Sequence, residues 1–330
     1  MSSRARPLIA VVVLVPVVAA LALWAFAWPA SRTAPRDLPL GVAGPPAAAA
    51  QAERQLQQHE GAFEIHRYAD EAAALDAIEG RSVYGAIVVT PQGPELLTAS
   101  AAGPAVAQFL QQAVARQSSA EGTPVRTVDV VPTPASDPRG AVLNAAVLPL
   151  ALAGIAAGAA VTLLGLRGVR AVTALLAVSA AVGAVAAGIA DSWLGALAGD
   201  WWVEASALGL STLAVGAAVA GLAALIGPAG TGLGAALVML LGNPFSGATS
   251  APQMLPEPAG AIGQWLPPGA GTSLLRSVSY FDGAAATGPV LTLAWWAALG
   301  LGAVLLGSTL RARKKDGAPA EDRRDLATVG

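Results

Sequence analysis

From Ala141 to Leu310 the chain carries only eight charged residues: Arg167, Arg170, Asp191, Asp200, Glu204, Glu257, Arg276 and Asp282. The other 32 of its 40 Lys, Arg, Asp and Glu residues lie outside that stretch. The whole chain is 12% charged, against about 25% in an ordinary soluble domain. A segment this long and this poor in charge has hydrocarbon, not water, as its solvent. In that solvent every backbone N–H and C=O must be paired internally, which leaves helices as the spanning elements.

Six apolar blocks are expected to span. The first lies within residues 1–29, a cytoplasmic N-terminus plus TM1, where Pro7–Trp28 is almost uninterruptedly apolar behind Arg4 and Arg6. A cleaved signal peptide is the competing reading, since Ala25-Phe26-Ala27 resembles a cleavage site. Signal h-regions run about 7–15 residues, and this run is longer, which favours a retained anchor. The other five blocks form a membrane domain over 140–310: TM2 141–166, TM3 171–190, TM4 203–226, TM5 233–248 and TM6 289–310, with an outer segment 249–283 before the last. Residues 311–330 form a basic, then mixed-charge cytoplasmic tail.

Residues 30–139 differ in character, with eight arginines against twelve acidic residues. They read as a small α/β domain. Strands are expected at Leu38–Val42, Phe63–Tyr68, Val83–Val89, Glu95–Ala99 and Val125–Val131. Helices are expected at Ala47–Gln58, at Glu71–Ile78 behind an Asp70 N-cap, and at Pro104–Ser118. Pro132, Pro134 and Pro138 then make a stiff lead into the membrane.

Loop charges orient the spans. Arg4 and Arg6, Arg167 and Arg170, and Arg311, Arg313, Lys314 and Lys315 fall on one side. Asp191, Asp200, Glu204, Glu257, Arg276 and Asp282 fall on the other. By the positive-inside rule both termini are cytoplasmic and residues 30–139 extracytoplasmic, in the cell membrane. Arg167 and Arg170 read either as simple topogenic charge or as a cytoplasmic partner contact. Ala- and Gly-rich usage with seventeen arginines and two lysines fits a GC-rich bacterium.

Much chemistry is excluded. There is no cysteine, hence no disulfide, thiolate nucleophile or Cys-based zinc site. Neither lysine, Lys314 or Lys315, follows a glycine, so the chain has no Walker A motif of its own. His59 and His66 are too far apart for a helical metal pair. The spans hold no ionisable residue in their interiors, which argues against proton coupling and embedded hydrolysis. Neither catalytic nor metal residues nor a cofactor are expected, and the net charge of −2 gives no reason to expect nucleic-acid binding. Gly154-x-x-x-Gly158 is a small-xxx-small motif that allows close helix packing, a dimer contact being one reading and chance the other.

Asn243–Gly283 interrupts the membrane pattern with clustered prolines and glycines. Pro258–Trp265 is expected to form two helical turns, Pro267–Gly271 a sharp break, and Thr272–Phe281 a second helix capped by Thr272 or Ser273. Leu274, Leu275, Val278 and Phe281 fall on one side, with Arg276, Ser277 and Ser279 toward the other. Trp265, Tyr280 and Phe281 suit headgroup depth, and Arg276 is expected to snorkel to it. Neither piece can span, so the pair reads as a re-entrant helical hairpin in the outer leaflet. The candidate re-entrant and gating residues are Pro244, Gln264, Trp265, Pro267, Pro268, Gly269, Gly271 and Arg276.

Two stretches carry a family resemblance: DEAAALDAIEGRSVYGAIVVTPQGPELLTAS (Asp70–Ser100) and NPFSGATSAPQMLPEPAGAIGQWLPPGAGTSLLRSVSYF (Asn243–Phe281). With the span arrangement they resemble the ABC-2-type transporter permeases, in particular the phage-infection-protein-like (YhgE/Pip) branch. The resemblance implies an extracytoplasmic insertion between spans one and two and a re-entrant pair between spans five and six. It also implies a homodimer or heterodimer of permeases coupled to a separate cytoplasmic ATPase. The expected fold is mostly α, with six transmembrane helices and a small inserted α/β domain. The expected function is the permease half of an exporter for a lipidic or amphipathic substrate. The alternative is a non-transporting surface scaffold whose outer domain binds an envelope component or protein partner.

Overall fold

The computed structural model describes residues 5–121 and 124–316. Arg4 and the tail beyond residue 316 lie outside the described residues, as do the side chains of Arg6 and of Arg311 to Lys315.

A long apolar helix, α1 (Ala5–Ser31), leads into a five-stranded sheet. The strands are β1 (Leu38–Ala43), β2 (Phe63–Tyr68), β3 (Gly85–Thr90), β4 (Gly93–Thr98) and β5 (Arg126–Asp129), in the order β2-β1-β3-β4-β5. The helices α2 (Pro46–Gln57), α3 (Glu71–Glu79) and α4 (Pro104–Glu121) alternate with them. β1 pairs in parallel with both β2 and β3, as βαβ crossovers require, while β3 and β4 form the antiparallel hairpin. The interior position of β1, between β2 and β3, explains its apolar run, because Leu38, Leu40, Val42 and Ala43 are all buried. Edge strand β2 is only half-buried, with Glu64 and Arg67 exposed. Asp70 caps α3 through the Ala73 N–H at 2.9 Å, as its sequence position implies.

Below the sheet lies a helical bundle. It contains α5 (Ala141–Leu163), α6 (Gly168–Ala187, continued as π-helix to Trp193), α7 (Trp201–Ile226) and α11 (Thr287–Asp316). With α1 these make five helices long and apolar enough to cross a bilayer among the described residues, where six are expected. The expected fifth span is shorter and starts earlier: α8 (Pro228–Ala236) with a π-helical extension to Gly242. Gly227 adopts φ 76° and turns the chain at once, so Pro228 opens α8 in the interval expected to separate TM4 from TM5.

Helix α7 is the axis of the bundle. It packs against α5, α6, α8, α11 and the helix Pro267–Tyr280. Its small residues let neighbours come to backbone distance, which is how apolar helices associate without a hydrophobic drive. Gly154 and Gly158 of α5 do this within the chain: a Cβ on Gly158 would lie 2.6 Å from Gly216 O. The small-xxx-small motif is thus an α5–α7 contact, and its use for a dimer is overturned by that occupancy.

Between α8 and α11 come a 3₁₀ turn (Pro252–Met254), α9 (Ala259–Trp265) and α10 (Pro267–Tyr280). This non-spanning pair is clamped between bundle and sheet. Ala251 and Met254 join the β-domain core of Leu38, Leu40, Leu96, Val106 and Leu110. Phe281 joins the core on the sheet's other side, with Ala43, Ile78, Val83 and Val88.

Candidate functional site

The break between α9 and α10 is narrower than the sequence implies. Only Leu266, extended at φ −99° and ψ 149°, separates the two helices. Pro267 and Pro268 form the first turn of α10, where a missing N–H costs nothing, so the expected break over Pro267–Gly271 is instead helix. Thr272 is not a cap but sits inside α10, its hydroxyl donating to Pro268 O at 2.8 Å. Gly269 and Gly271 are close-packing positions, not hinges. A Cβ on Gly269 would stand 2.2 Å from Gly263 O of α9, and one on Gly271 2.7 Å from Ser211 Oγ of α7. Pro244 lies in the turn that follows the π-helical extension.

Gln264 staples the pair. Its Nε2 donates to Ser246 O at 3.0 Å, and its Oε1 accepts from Ser273 Oγ at 2.6 Å. Trp296 of α11 donates its indole N–H to Trp265 O at 2.8 Å, tying the last span to the end of α9. Trp265 itself is 74% exposed. Tyr280 and Phe281 are engaged within the protein. The Tyr280 hydroxyl donates to Ala196 O at 2.7 Å, and the Phe281 ring is buried.

Arg276 does not snorkel. It is 3% exposed, and its Nη2 donates to Ala248 O. The polar side of α10 is therefore buried as thoroughly as the apolar side, with Ser277 and Ser279 also enclosed. The amphipathic pattern misleads because the sheet domain covers the face that would otherwise meet water. A second arginine comes from that domain. Arg81 sits at φ 58° in the turn after α3, a conformation non-glycine residues seldom hold. Its Nη1 donates to Ser273 O at 3.0 Å and to Ser277 Oγ, and its guanidinium lies 5.3 Å from the centre of the Phe281 ring. Tyr84 stands near both arginines and donates to Gln253 Oε1 at 2.9 Å. Burial pushes Arg276 down to about 10 and Arg81 below its ordinary value, yet both guanidiniums stay charged at neutral pH. The same burial raises Tyr84, so it stays a neutral phenol.

These side chains line a groove of about 990 Å³. Its roof is Pro39, Arg81 and Tyr84 of the sheet domain, and its back is Gln264, Ser273 and Arg276. Its outer wall is the first turns of α11, including Leu291, Trp295 and Leu299. The structure thus brings together Gln264, Trp265 and Arg276 among the expected residues. It adds Arg81, Tyr84, Gln253, Trp295 and Trp296, which nothing in their local sequence marks.

Arg167 and Arg170 stand apart, at the end of the bundle away from the sheet: Arg167 precedes α6, and Gly168 next to it faces Ser308 of α11. One ionisable residue is enclosed within a spanning helix after all. Glu204, in the first turn of α7, is fully buried; its Oε1 accepts from Gly199 N at 2.9 Å, and Ser279 of α10 lies beside its carboxylate. Its position near a helix end conceals this in the sequence.

Comparison with protein-family models, with curated proteins and with solved structures gives no match, so the site is read from its own geometry.

Proposed function

We propose that the chain is the membrane permease subunit of an ABC-type exporter, moving a lipidic or amphipathic substrate outward with energy from a separate cytoplasmic ATPase. The observation that carries this reading is the α9–α10 pair. It is too short to span, yet it is fastened to α7, to α11 and to the sheet domain, and it walls a large groove. A simple anchor has no use for such a device. Irregular backbone at membrane depth is tolerated where it lines a cavity, and in transporters broken helices mark the substrate path. In this reading Pro228–Gly242 and the residues up to 248 complete a sixth crossing, and the sheet domain is extracytoplasmic. Arg167 and Arg170 lie on the face that meets the ATPase, and two permeases pair.

The ATPase is the decisive test. The full chain, tagged and extracted from its own host in a mild detergent, is expected to bring down a nucleotide-binding subunit. That subunit's ATP hydrolysis should rise when the permease is present. Recovery of no ATPase, together with none encoded beside the gene, sinks the proposal.

The orientation has its own test, made clean by the absence of native cysteine. Gln92→Cys, at the exposed β3–β4 turn, is expected to react with an impermeant maleimide on intact cells. Leu164→Cys, 75% exposed after α5, is expected to react only after lysis. The reverse pattern inverts the topology.

A further inference from the structure

The groove's chemistry is divided along its length. At the sheet end are two guanidiniums, and no Asp or Glu is among the residues that line it. Arg276 is more than nine-tenths buried, and among the described residues neither it nor Arg81 has a carboxylate within salt-bridge distance. Each uses one nitrogen in its hydrogen bonds, Nη2 of Arg276 and Nη1 of Arg81, out of five donor N–H groups per guanidinium. Two enclosed cations side by side repel one another and have lost hydration, so the arrangement favours an anion between them. Guanidiniums match phosphate oxygens bidentately, which makes arginine suited to that anion.

At the other end the groove is greasy. Leu291, Trp295 and Leu299 face outward at 63%, 63% and 52% exposure on a spanning helix, so lipid is their neighbour. From Leu291 to Leu299 is eight residue steps along α11, a rise of about 12 Å. That is room for the upper half of an acyl chain laid along the helix. Trp265, Trp295 and Trp296 ring the junction, at the depth where tryptophan meets headgroups.

We propose that this groove is a binding site for one anionic phospholipid of the surrounding leaflet, its phosphate held by Arg81 and Arg276 and one acyl chain lying along Leu291, Trp295 and Leu299. The roof is cationic and holds no acidic side chain, so it selects against a headgroup whose own positive charge must also be seated. A free anion satisfies the arginines but leaves the apolar wall unused. The inference deepens the permease reading by naming the class of ligand that the groove takes.

The test uses the full chain, purified in neutral detergent and placed in phosphatidylcholine nanodiscs. Phosphatidylglycerol or phosphatidylcholine brominated on the acyl chains is added, and quenching of tryptophan fluorescence is followed. Brominated phosphatidylglycerol is expected to reach half-quenching at a mole fraction about tenfold lower than brominated phosphatidylcholine. Arg81→Gln with Arg276→Gln is expected to erase that difference. Because Arg276 is enclosed, this double variant can fail to fold, and Gly288→Phe then decides. A Cβ at Gly288 meets nothing within 4 Å, yet the residue lines the groove, so a ring there obstructs it without touching either arginine. Gly288→Phe is expected to unfold at the wild-type temperature and to lose the preference. Equal quenching by the two lipids in the wild type overturns the proposal, as does a preference that survives Gly288→Phe. Displacement of brominated phosphatidylglycerol by inorganic phosphate also overturns it, since the occupant would then be a soluble anion. A lost preference with the ATPase still captured removes the lipid site and leaves the permease. A retained preference with no ATPase does the opposite.

Discussion

Gly300→Leu is expected to abolish the folded bundle. Gly300 marks the point where α11 crosses α7, and a Cβ there would lie 2.3 Å from Ala217 C and 2.4 Å from Ala217 O. The approach is reciprocal, since a Cβ on Gly221 of α7 would lie 2.7 Å from Gly300 O. These are backbone atoms, so no rotamer change relieves the clash, and one helix must move. α7 cannot move freely, because α6 is equally close on another side: a Cβ on Gly183 would stand 2.3 Å from Ala205 O. Overpacking that side chains can absorb costs about 1–3 kcal/mol. A whole-helix displacement costs more, against a total stability of about 5–15 kcal/mol for a domain. The expected readout is loss of the monodisperse peak on gel filtration in detergent, or a fall in Tm of more than about 10 °C, taking about 2–4 °C per kcal/mol. Gly302→Leu is the control. It lies on the same helix two residues on, a Cβ there meets nothing within 4 Å, and the variant should behave as wild type. A Gly300→Leu protein with wild-type elution and Tm would mean that α7 and α11 do not cross there.

The contrast between Gly300 and Gly302 shows where sequence reading stops. Charge counting finds the membrane segment, because the cost of a charge in hydrocarbon is paid residue by residue and is visible in composition. The sheet domain's elements are likewise legible, because β1 and β3 are apolar runs, β2 alternates and Asp70 caps α3. The α9–α10 segment is legible only as irregular. Proline signals a break, but Pro267 and Pro268 start a helix, and their position relative to Leu266 is decided by what α10 packs on. Glycine signals freedom, yet Gly263, Gly269 and Gly271 are there because a backbone or side chain approaches too closely for a Cβ. Arg276 is the sharpest case. A lone arginine near an interface normally reaches water, and this one is covered because residues nearly two hundred positions earlier fold over it, Arg81 among them. Tertiary cover of that kind has no local periodicity. The fifth apolar block has different helix bounds from those expected, for a related reason: composition cannot show that Gly227 and Pro228 start its helix early and that the helix ends by Gly242.

The sheet domain cut out alone, as residues 32–135, is expected not to fold into a stable unit. Its two cores are completed by residues of the segment between α8 and α11. Ala251 and Met254 fill one and Phe281 the other, and all three are buried. Burial of a Met or Phe side chain is worth about 1.5–3 kcal/mol each. Hydrogen bonds go with them: Ala34 N to Met254 O at 3.0 Å, Arg36 N to Gln253 O at 2.9 Å, Tyr84 Oη to Gln253 Oε1 at 2.9 Å and Arg81 Nη1 to Ser273 O at 3.0 Å. Each contributes about 1 kcal/mol net. The combined loss is comparable to the entire stability of a domain of this size. The fragment should show a broad, non-cooperative melt and rapid proteolysis, whereas the same residues in the full chain resist the protease. This outcome also separates the two functional readings. A surface scaffold needs an outer domain that works when tethered by α1 alone, and such a construction lacks Met254 and Phe281. A fragment that melts cooperatively near the full chain's Tm would favour the scaffold. An unstable one means that sheet, hairpin and bundle are a single mechanical unit, in which movement of α10 is felt at Arg81 and at the groove between them.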